Sequence, residues 1–222
     1  MIQLGSIRGT TITLDFSFLF IVALFVITSY NPNIGIHYAL LWIPVLFLSI
    51  LLHELAHAGM IGLFGFGSSQ IVLGGMGGVT INRRQARPWQ DMLISLAGPA
   101  SSFALAALVR AFYRNSELAQ RDPMLAAFLP LLIIANVFWG IFNCLPISPL
   151  DGGHALRDLL RIFMPDRKAF PIAIWIGIVV GVVVAILGLL ARQIFVTVLL
   201  AWFVFMNYQQ WQYYRDHGTP GD

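Results

Sequence analysis

Charged residues are scarce in this chain. Aspartate, glutamate, lysine and arginine make up 10% of its 222 residues, whereas hydrophobic residues make up 58%. A soluble domain carries about a quarter charged residues, so the composition excludes an ordinary soluble fold and predicts a polytopic membrane protein. No basic segment interleaved with aromatic residues is present, and the net charge of +3 fits loops at a membrane surface better than nucleic-acid binding.

Cysteine and signals for processing are also nearly absent. The single cysteine, Cys144, excludes an internal disulfide. The first apolar run follows one arginine and lacks a small-residue cleavage site at its end, so we expect a retained span and no cleaved signal. Apolar runs fill nearly the whole sequence, and we therefore expect one membrane domain over residues 1–222 without a soluble module.

Six apolar runs predict six transmembrane helices. About 20 apolar residues cross a bilayer. The predicted spans are residues 16–29, 38–63, 90–112, 124–145, 171–190 and 194–207. After the fourth span, Pro146 and Pro149 break the helix, and a short amphipathic helix follows over residues 154–164. The fold class expected is all-α, with about six transmembrane helices.

Two short β-prone segments interrupt this helical pattern. A Gly-Gly-Met-Gly-Gly turn over residues 74–78 separates two β-prone runs and predicts a hairpin over residues 71–81. Within a membrane such a hairpin must lie against protein or water, because lipid cannot satisfy its backbone. A flexible cytosolic loop is the alternative. A second small hairpin is expected on either side of Arg8 and Gly9.

The second predicted span contains three ionisable residues in an otherwise apolar run. His53 and His57 are four residues apart, so on a helix they lie on one face, one turn apart, where two imidazoles can bind one tetrahedral metal. Glu54 can reach a water held on that metal, which completes the zinc-hydrolase pattern His-Glu-x-x-His. Three ionisable groups in a lipid-spanning helix cost several kcal/mol unless they are paired, hydrated or metal-bound.

Basic residues are distributed unequally between the two sets of loops that six spans would create. Arg8, Arg83, Arg84, Arg87, Arg157, Arg161, Arg167, Lys168 and Arg215 fall on one side, and Arg110, Arg114, Arg121 and Arg192 on the other. The richer side is expected to be cytosolic. This predicts a multi-pass protein of the cell membrane whose two termini and active-site side face the cytosol.

A third zinc ligand is required, because a catalytic zinc has three protein ligands and one open position. Most aspartates lie in loops or at the termini. Asp151 differs, because it lies at a broken helix end, beside glycines, at the depth of the motif. We therefore predict that Asp151 is the third ligand; a helix-capping role is the alternative. His154 is a second candidate ligand, although a histidine at a helix start or interface is the simpler interpretation.

Three motifs in order resemble the site-2 protease family of intramembrane zinc metalloproteases. They are His-Glu-Leu-Ala-His at 53–57, Ala-Gly-Pro at 97–99 and Asn-Cys-Leu-Pro-Ile-Ser-Pro-Leu-Asp-Gly-Gly at 143–153. The resemblance implies a catalytic core of three spans at about residues 38–154 and accessory spans at 155–222. It also implies a glycine-rich β element that pairs with an unwound substrate. The chain looks like a minimal form, without the peptide-binding or nucleotide-sensing domain of other members.

The resemblance also implies a role for each site residue. His53, His57 and Asp151 would hold one Zn²⁺ per chain, Glu54 would be the catalytic acid and base, and Asn143 would position the substrate or the oxyanion. Three positions depart from the commonest pattern: Ser102 replaces an asparagine, Ser148 a proline and His154 an arginine. None removes a ligand, so these departures bear on substrate handling more than on activity.

The function expected is zinc-dependent endoproteolysis within the membrane. The expected partners are single-span membrane proteins and the lipid bilayer, and the oligomeric state is not indicated. A membrane transporter or metal permease is one alternative, because polar residues at mid-membrane and broken helices also occur there. The sequence offers no convincing internal repeat for it. A zinc-binding but inactive homologue is another alternative, against which the intact Glu54 argues.

Overall fold

The computed structural model describes residues 1–75, 77–83 and 85–218. Met76 of the predicted turn, Arg84 of the predicted cytosolic arginines and the last four residues lie outside these ranges. The helices are α1 (Phe18–Ser29), α2 (Ile36–Leu40), α3 (Trp42–Leu63), α4 (Pro88–Asn115), α5 (Glu117–Arg121), α6 (Pro123–Asn143), α7 (Asp151–Phe163), α8 (Asp166–Leu190) and α9 (Ile194–His217), and the strands are β1 (Ile2–Ile7), β2 (Thr10–Leu14), β3 (Gln70–Gly74) and β4 (Gly77–Ile81).

The chain divides into two compact units. The first unit comprises Met1–Arg84 and Ala97–Gly140, and the second comprises Gln85–Leu96 and Ile141–Asp222. The first unit therefore contains the four strands and helix α3, which carries the His-Glu-x-x-His motif. The second unit contains the broken segment after α6 and helices α7 to α9.

Five helical segments in the described part of the chain are long and apolar enough to cross a membrane. They are Ile36–Leu63, Pro88–Asn115, Pro123–Asn143, Asp166–Leu190 and Ile194–His217. This confirms the polytopic, mainly helical fold class. Helix α1 is apolar but has 12 residues, about 18 Å at 1.5 Å per residue. A bilayer core is about 30 Å thick, so the first predicted span, the total of six, and the sidedness that depends on it stay predictions.

Several helices are longer than the predicted spans. Helix α8 begins at Asp166, directly after Pro165 and five residues before the predicted start, and it continues through Pro171. Helix α9 continues ten residues past the predicted end, since no proline or glycine interrupts it before Gly218. The predicted polar loop after the third span contains the short helix α5, whose first turn is capped by the Ser116 hydroxyl accepting from the backbone N–H of Ala119.

The two predicted hairpins join into one four-stranded sheet of order β1-β2-β3-β4. Strands β1 and β2 pair antiparallel, as do β3 and β4, whereas β2 and β3 pair parallel, with Ile12 opposite Ile71 and Leu14 opposite Leu73. Ile12, Ile71 and Leu73 belong to one buried cluster with residues of α1 and α3. The sheet is thereby held against the helix that carries the motif.

The second unit has its own apolar core around the segment between α6 and α7. Ile147 and Leu150 of that segment pack with Leu200 and Phe203 of α9. Helices α8 and α9 approach closely at Gly181, where an added Cβ would collide with the side chain of Val204. The predicted helix break over 146–149 is confirmed, because α6 ends at Asn143 and α7 begins at Asp151.

Candidate metal centre

His53, Glu54 and His57 lie side by side in the interior of α3. The helix runs without interruption from Trp42 to Leu63, so the spacing of four residues places both imidazoles on one face, with ring centroids 4.9 Å apart. The three side chains are 3%, 4% and 7% exposed. Burial of this degree disfavours three ionisable groups unless they are paired or bind a metal. It is consistent with a functional polar site within an apolar helix.

Gly98 of α4 faces both imidazoles of the motif. A Cβ added there would lie 2.5 Å from Nε2 of His53 and closer still to Nε2 of His57. Both Nε2 atoms therefore point to the same side, towards a position that only a residue without a side chain leaves open. Two imidazole nitrogens directed into one open space fit the donor set of a zinc ion. The arrangement of these two imidazoles therefore fits a zinc site.

Ser102 orients the first of these imidazoles. Its hydroxyl lies 3.1 Å from Nδ1 of His53, and the serine itself is 2% exposed. When Nε2 binds a metal, Nδ1 carries the proton and donates to the serine oxygen, which fixes both the tautomer and the ring plane. Ser102 follows Gly98 by one helical turn, so α4 supplies both the open space and the orienting hydroxyl.

A buried amide holds α3 one turn before His53. Asn136 of α6, which is fully buried, donates through Nδ2 to the hydroxyl of Ser49 at 2.9 Å and to the carbonyl of Leu132 at 2.8 Å. Ser49 precedes His53 by four residues and so lies on the same helix face. This pair ties α6 to the metal-binding face of α3.

The glycine-rich hairpin lies directly against Glu54. The hydroxyl of Thr80 in β4 donates to Oε2 of Glu54 at 2.7 Å and to its backbone carbonyl at 3.1 Å. A Cβ at Gly78 would lie 2.5 Å from Oε1 of the same carboxylate. The glycine therefore makes room for the side chain, and the threonine fixes its orientation.

Asn143 and Asp151 lie in the second unit, at the two ends of the segment that joins α6 to α7. Asn143 is the last residue of α6 and Asp151 is the first of α7, and both are partly buried. The segment packs on the first turn of α7 without side chains between them. A Cβ at Gly152 would lie 2.5 Å from the carbonyl carbon of Cys144, and Gly153 is similarly enclosed. The paired glycines thus explain why the chain can begin a helix here.

Among the described residues, a possible metal-binding group consists of the side chains of His53, His57 and Asp151. Two imidazoles and a carboxylate are a donor set that zinc accepts. His154, the other candidate ligand, is exposed and lines a cavity of about 320 Å³ in the second unit. It is not part of the metal-binding group.

Sequence reasoning missed most of the residues that hold the site. From the sequence, Gly98 is only part of the Ala-Gly-Pro motif, Ser102 is a departure that bears on substrate handling, and Gly78 and Thr80 are part of a hairpin. A signal was available for Ser102, because a serine four residues after a glycine in an apolar helix shares its face. No local signal pairs Thr80 with Glu54.

Comparison with known proteins places this architecture in a family. A model described as peptidase family M50 matches residues 112–188, and one described as peptidase M50B-like matches residues 17–149. A zinc metalloprotease of Methanocaldococcus jannaschii is 30% identical over 209 residues, 94% of this chain and 60% of that protein. Rip3 of Mycobacterium tuberculosis is 29% identical over 223 residues, covering 92% of this chain and 56% of that protein.

A solved structure shares the fold as well. The site-2 protease from Methanocaldococcus jannaschii superimposes with a TM-score of 0.66 at 27% identity, over 94% of each chain. The present chain spans less than two thirds of the length of the two relatives above. The M50B-like model alone matches more than half of the chain. The chain therefore belongs to peptidase family M50, the site-2 proteases.

Proposed function

We propose that this protein is a zinc-dependent endopeptidase that cleaves transmembrane segments of membrane proteins within the bilayer. The observation that carries the proposal is the pairing of Glu54 with Thr80. The carboxylate of Glu54 lies beside the two histidines that face the metal position. It accepts a hydrogen bond from Thr80 of β4, an edge strand to which a peptide can be added. A transporter would have no use for that arrangement, and the relatives named as zinc metalloproteases favour hydrolysis.

His53, His57 and Asp151 are the proposed zinc ligands. The two Nε2 atoms that face Gly98 and the partly buried carboxylate would supply three protein ligands, which leaves the open position that a catalytic site needs. Zinc, when bound there, supplies a Lewis acid and brings the pKa of a coordinated water near 7. Ser102 keeps His53 in the tautomer that binds through Nε2.

Glu54 is the proposed general base and, later, the general acid. Its carboxylate would accept a proton from the attacking water and return it to the nitrogen of the leaving peptide. Thr80 holds the carboxylate in one orientation through Oε2, which keeps it directed for proton transfer. Asn143 is the proposed donor to the oxygen of the cleaved carbonyl.

The substrate is proposed to bind along β4. Within the described sheet β4 is an edge strand, and the side chains of Val79 and Ile81 are 58% and 50% exposed. Gly78 and Thr80, on the alternate face, contact Glu54. An unwound transmembrane segment that adds as a further strand would satisfy its backbone by pairing with β4 and would lie next to the carboxylate.

The proposal also includes the location and orientation of the protein in the cell. The protein is a multi-pass membrane protein. We propose that it acts as a single peptidase domain in the cell membrane, with both termini and the active-site side in the cytosol, because its basic loops predict that orientation. Single-span membrane proteins are the proposed substrates, since one helix can be unwound without breaking a packed bundle.

The decisive experiment compares the wild type with Glu54→Gln in detergent. Bound zinc is measured in both, and each is incubated with a panel of single-span membrane peptides, with and without chelator. We expect cleavage within the span by the wild type, none with chelator, and a loss of about 10³-fold in Glu54→Gln with its zinc retained. Zinc binding without cleavage by either form would favour an inactive binding protein. Metal uptake by vesicles without proteolysis would favour a transporter.

The substrate-binding strand is tested separately with Val79→Pro. Gly74 and Gly77 close the hairpin as a hydrogen-bonded pair, so by alternation Val79 is bonded to Val72, and the proline removes a bond that holds β4 in place for a paired peptide. We expect reduced cleavage with unchanged zinc content. Leu4→Pro, at the opposite edge of the sheet in β1, is the matched control and should retain cleavage. Full activity in Val79→Pro would exclude strand addition at β4.

A further inference from the structure

The segment that carries Asp151 is held by a side chain from the last helix. Asn207 of α9 donates through Nδ2 to the backbone carbonyl of Ser148 at 2.6 Å and to that of Phe203, one turn earlier in α9, at 2.7 Å. Ser148 precedes Asp151 by three residues. Gln210, a further turn along α9, lies 3.4 Å from the hydroxyl of the same serine, a longer and weaker contact.

Helix α8 closes the other side of this contact. A Cβ at Gly177 would lie 3.0 Å from the carbonyl oxygen of Pro146 and 3.2 Å from Oδ1 of Asn207. The amide is therefore enclosed between α8 and the segment, and Asn207 is 0% exposed. Among the described residues its Oδ1 has no hydrogen-bond partner, so the hydrogen bonds that the structure shows for this side chain are those of Nδ2.

Ser148 lies against the first turn of α7, which begins at Asp151. The nitrogen of Ser148 would lie 2.5 Å from a Cβ at Gly153, so segment and helix are in direct backbone contact. Ile147 and Leu150, on either side, are buried in the core with α9. No flexible side chain lies between the segment and the first turn of α7 that could absorb a shift.

A buried asparagine is costly in a helix that crosses a membrane. The neighbouring core positions of α9, Leu200 and Phe203, are apolar, and a leucine of similar size at position 207 would avoid an unsatisfied oxygen. Polar side chains inside membrane helices are expensive, and their hydrogen bonds between helices contribute about 1 kcal/mol. Stability alone therefore gives little reason for an amide at this position.

We propose that Asn207 is a positioning residue for the carboxylate of Asp151. By holding the carbonyl of Ser148 it fixes the start of α7, and so the direction in which Asp151 presents its oxygens to zinc. The inference rests on the proposed function, in which Asp151 is the third ligand. It gives α9, one of the spans expected to be accessory, a direct part in the metal site.

The test uses the full chain in detergent and four forms: wild type, Asn207→Leu, Gln210→Leu and Gln209→Leu. Gln209 is an exposed amide of the same helix and serves as the matched control. Zinc affinity is measured by competition with a chelator, the ligand geometry by the visible spectrum of the Co²⁺ form, folding by thermal unfolding, and cleavage as kcat and KM separately.

We expect Asn207→Leu to bind zinc about tenfold more weakly, the lower end of the range for groups that orient metal ligands. The Co²⁺ absorption bands should shift, and kcat should fall while KM stays unchanged. Gln210→Leu should have a smaller effect in the same direction, because its contact is longer. Gln209→Leu should match the wild type in all four measurements.

The outcomes separate this inference from the proposed function. If the wild type binds no zinc or cuts nothing, the proposed function fails. If the wild type binds and cuts, but folded Asn207→Leu keeps wild-type zinc affinity and Co²⁺ bands, the positioning role is excluded, even when its melting temperature falls. Should Asn207→Leu not fold, Gly177→Ala decides, because its methyl group displaces the same carbonyl segment; unchanged zinc affinity there overturns the inference.

Discussion

The two units support their parts of the proposed metal site in different ways. In the first unit, α3 is held from outside by polar side chains of three other elements: Ser102 of α4, Asn136 of α6 and Thr80 of β4. In the second unit, the start of α7 is held by the backbone immediately before it, through Gly152 and Gly153, with Asn207 as an added tie.

The difference lies in how each support should respond to mutation. A hydroxyl or amide contact contributes about 1 kcal/mol, and its removal leaves the rest of the unit in place. Substitution of a glycine that is enclosed by backbone is not graded in this way, because any added side chain must displace the main chain. The motif helix should therefore show graded losses of function, and the Asp151 segment abrupt losses of structure.

Gly98→Ala should have the largest effect on zinc binding and is the exception that tests this contrast. Its methyl group meets the Nε2 atoms of His53 and His57, which are side-chain atoms, so the rings can turn away while the helices remain. We expect zinc affinity to fall more than about 100-fold, with a nearly unchanged melting temperature. Gly59→Ala, a glycine of α3 with open space around it, is the control. An unfolded Gly98→Ala would erase the contrast between the two units.

Ser102→Ala should have the next largest effect. Without the hydroxyl, Nδ1 of His53 loses its orienting partner, and we expect zinc affinity to fall about 10-fold. Competition with a chelator measures it, and Ser102→Thr, which keeps the hydroxyl, should recover most of the loss. If Ser102→Ala binds zinc normally, the first unit does not depend on outside hydroxyls for its ligand geometry.

The sequence was informative where the support is local. The spacing within His-Glu-x-x-His predicts a shared helix face, and Pro146 and Pro149 predict a helix break, because each depends on residues within one or two turns. Asp151 could be chosen for the same reason, since its glycines and prolines are its neighbours in sequence. The Gly-Gly-Met-Gly-Gly turn likewise predicts strands that are confirmed on either side.

The supports of the first unit could not be predicted, because they join residues distant in sequence. Ser102 and His53 are 49 residues apart, and Thr80 and Glu54 are 26 apart. The parallel pairing of β2 with β3 connects residues 59 positions apart and carries no periodic signal of its own. Helix α1 ends where the first span was predicted to end and begins two residues later, because Phe16 is apolar but precedes the helix.

Thr80→Val should reduce catalysis without affecting zinc. The substitution keeps the β-branched shape and removes the bond to Oε2 of Glu54, so the carboxylate is held less firmly for proton transfer. We expect kcat to fall about 10-fold, a loss of about 1.4 kcal/mol of transition-state stabilisation, with unchanged zinc content. Thr80→Ser should restore activity. A loss that Thr80→Ser does not restore would point to strand packing, which would assign β4 no role in orienting Glu54.

The smallest expected effect is on the stability of the second unit. It depends on Asp158, a buried carboxylate in α7. Burial raises the pKa of Asp158 above its ordinary value of 3.8, although Arg161 donates to it at 2.8 Å and opposes the shift. The folded protein then binds this proton more tightly than the unfolded chain does, so the free energy of unfolding falls as pH rises from about 4.

Thermal unfolding in detergent from about pH 4 to pH 7 measures this dependence. Asp158→Asn should flatten it, whereas Glu117→Gln, in an exposed pair with Arg121 of the first unit, should leave it unchanged. If the melting temperature of Asp158→Asn depends on pH as steeply as that of the wild type, another group titrates with folding. The buried charge of α7 would then not distinguish the second unit from the first.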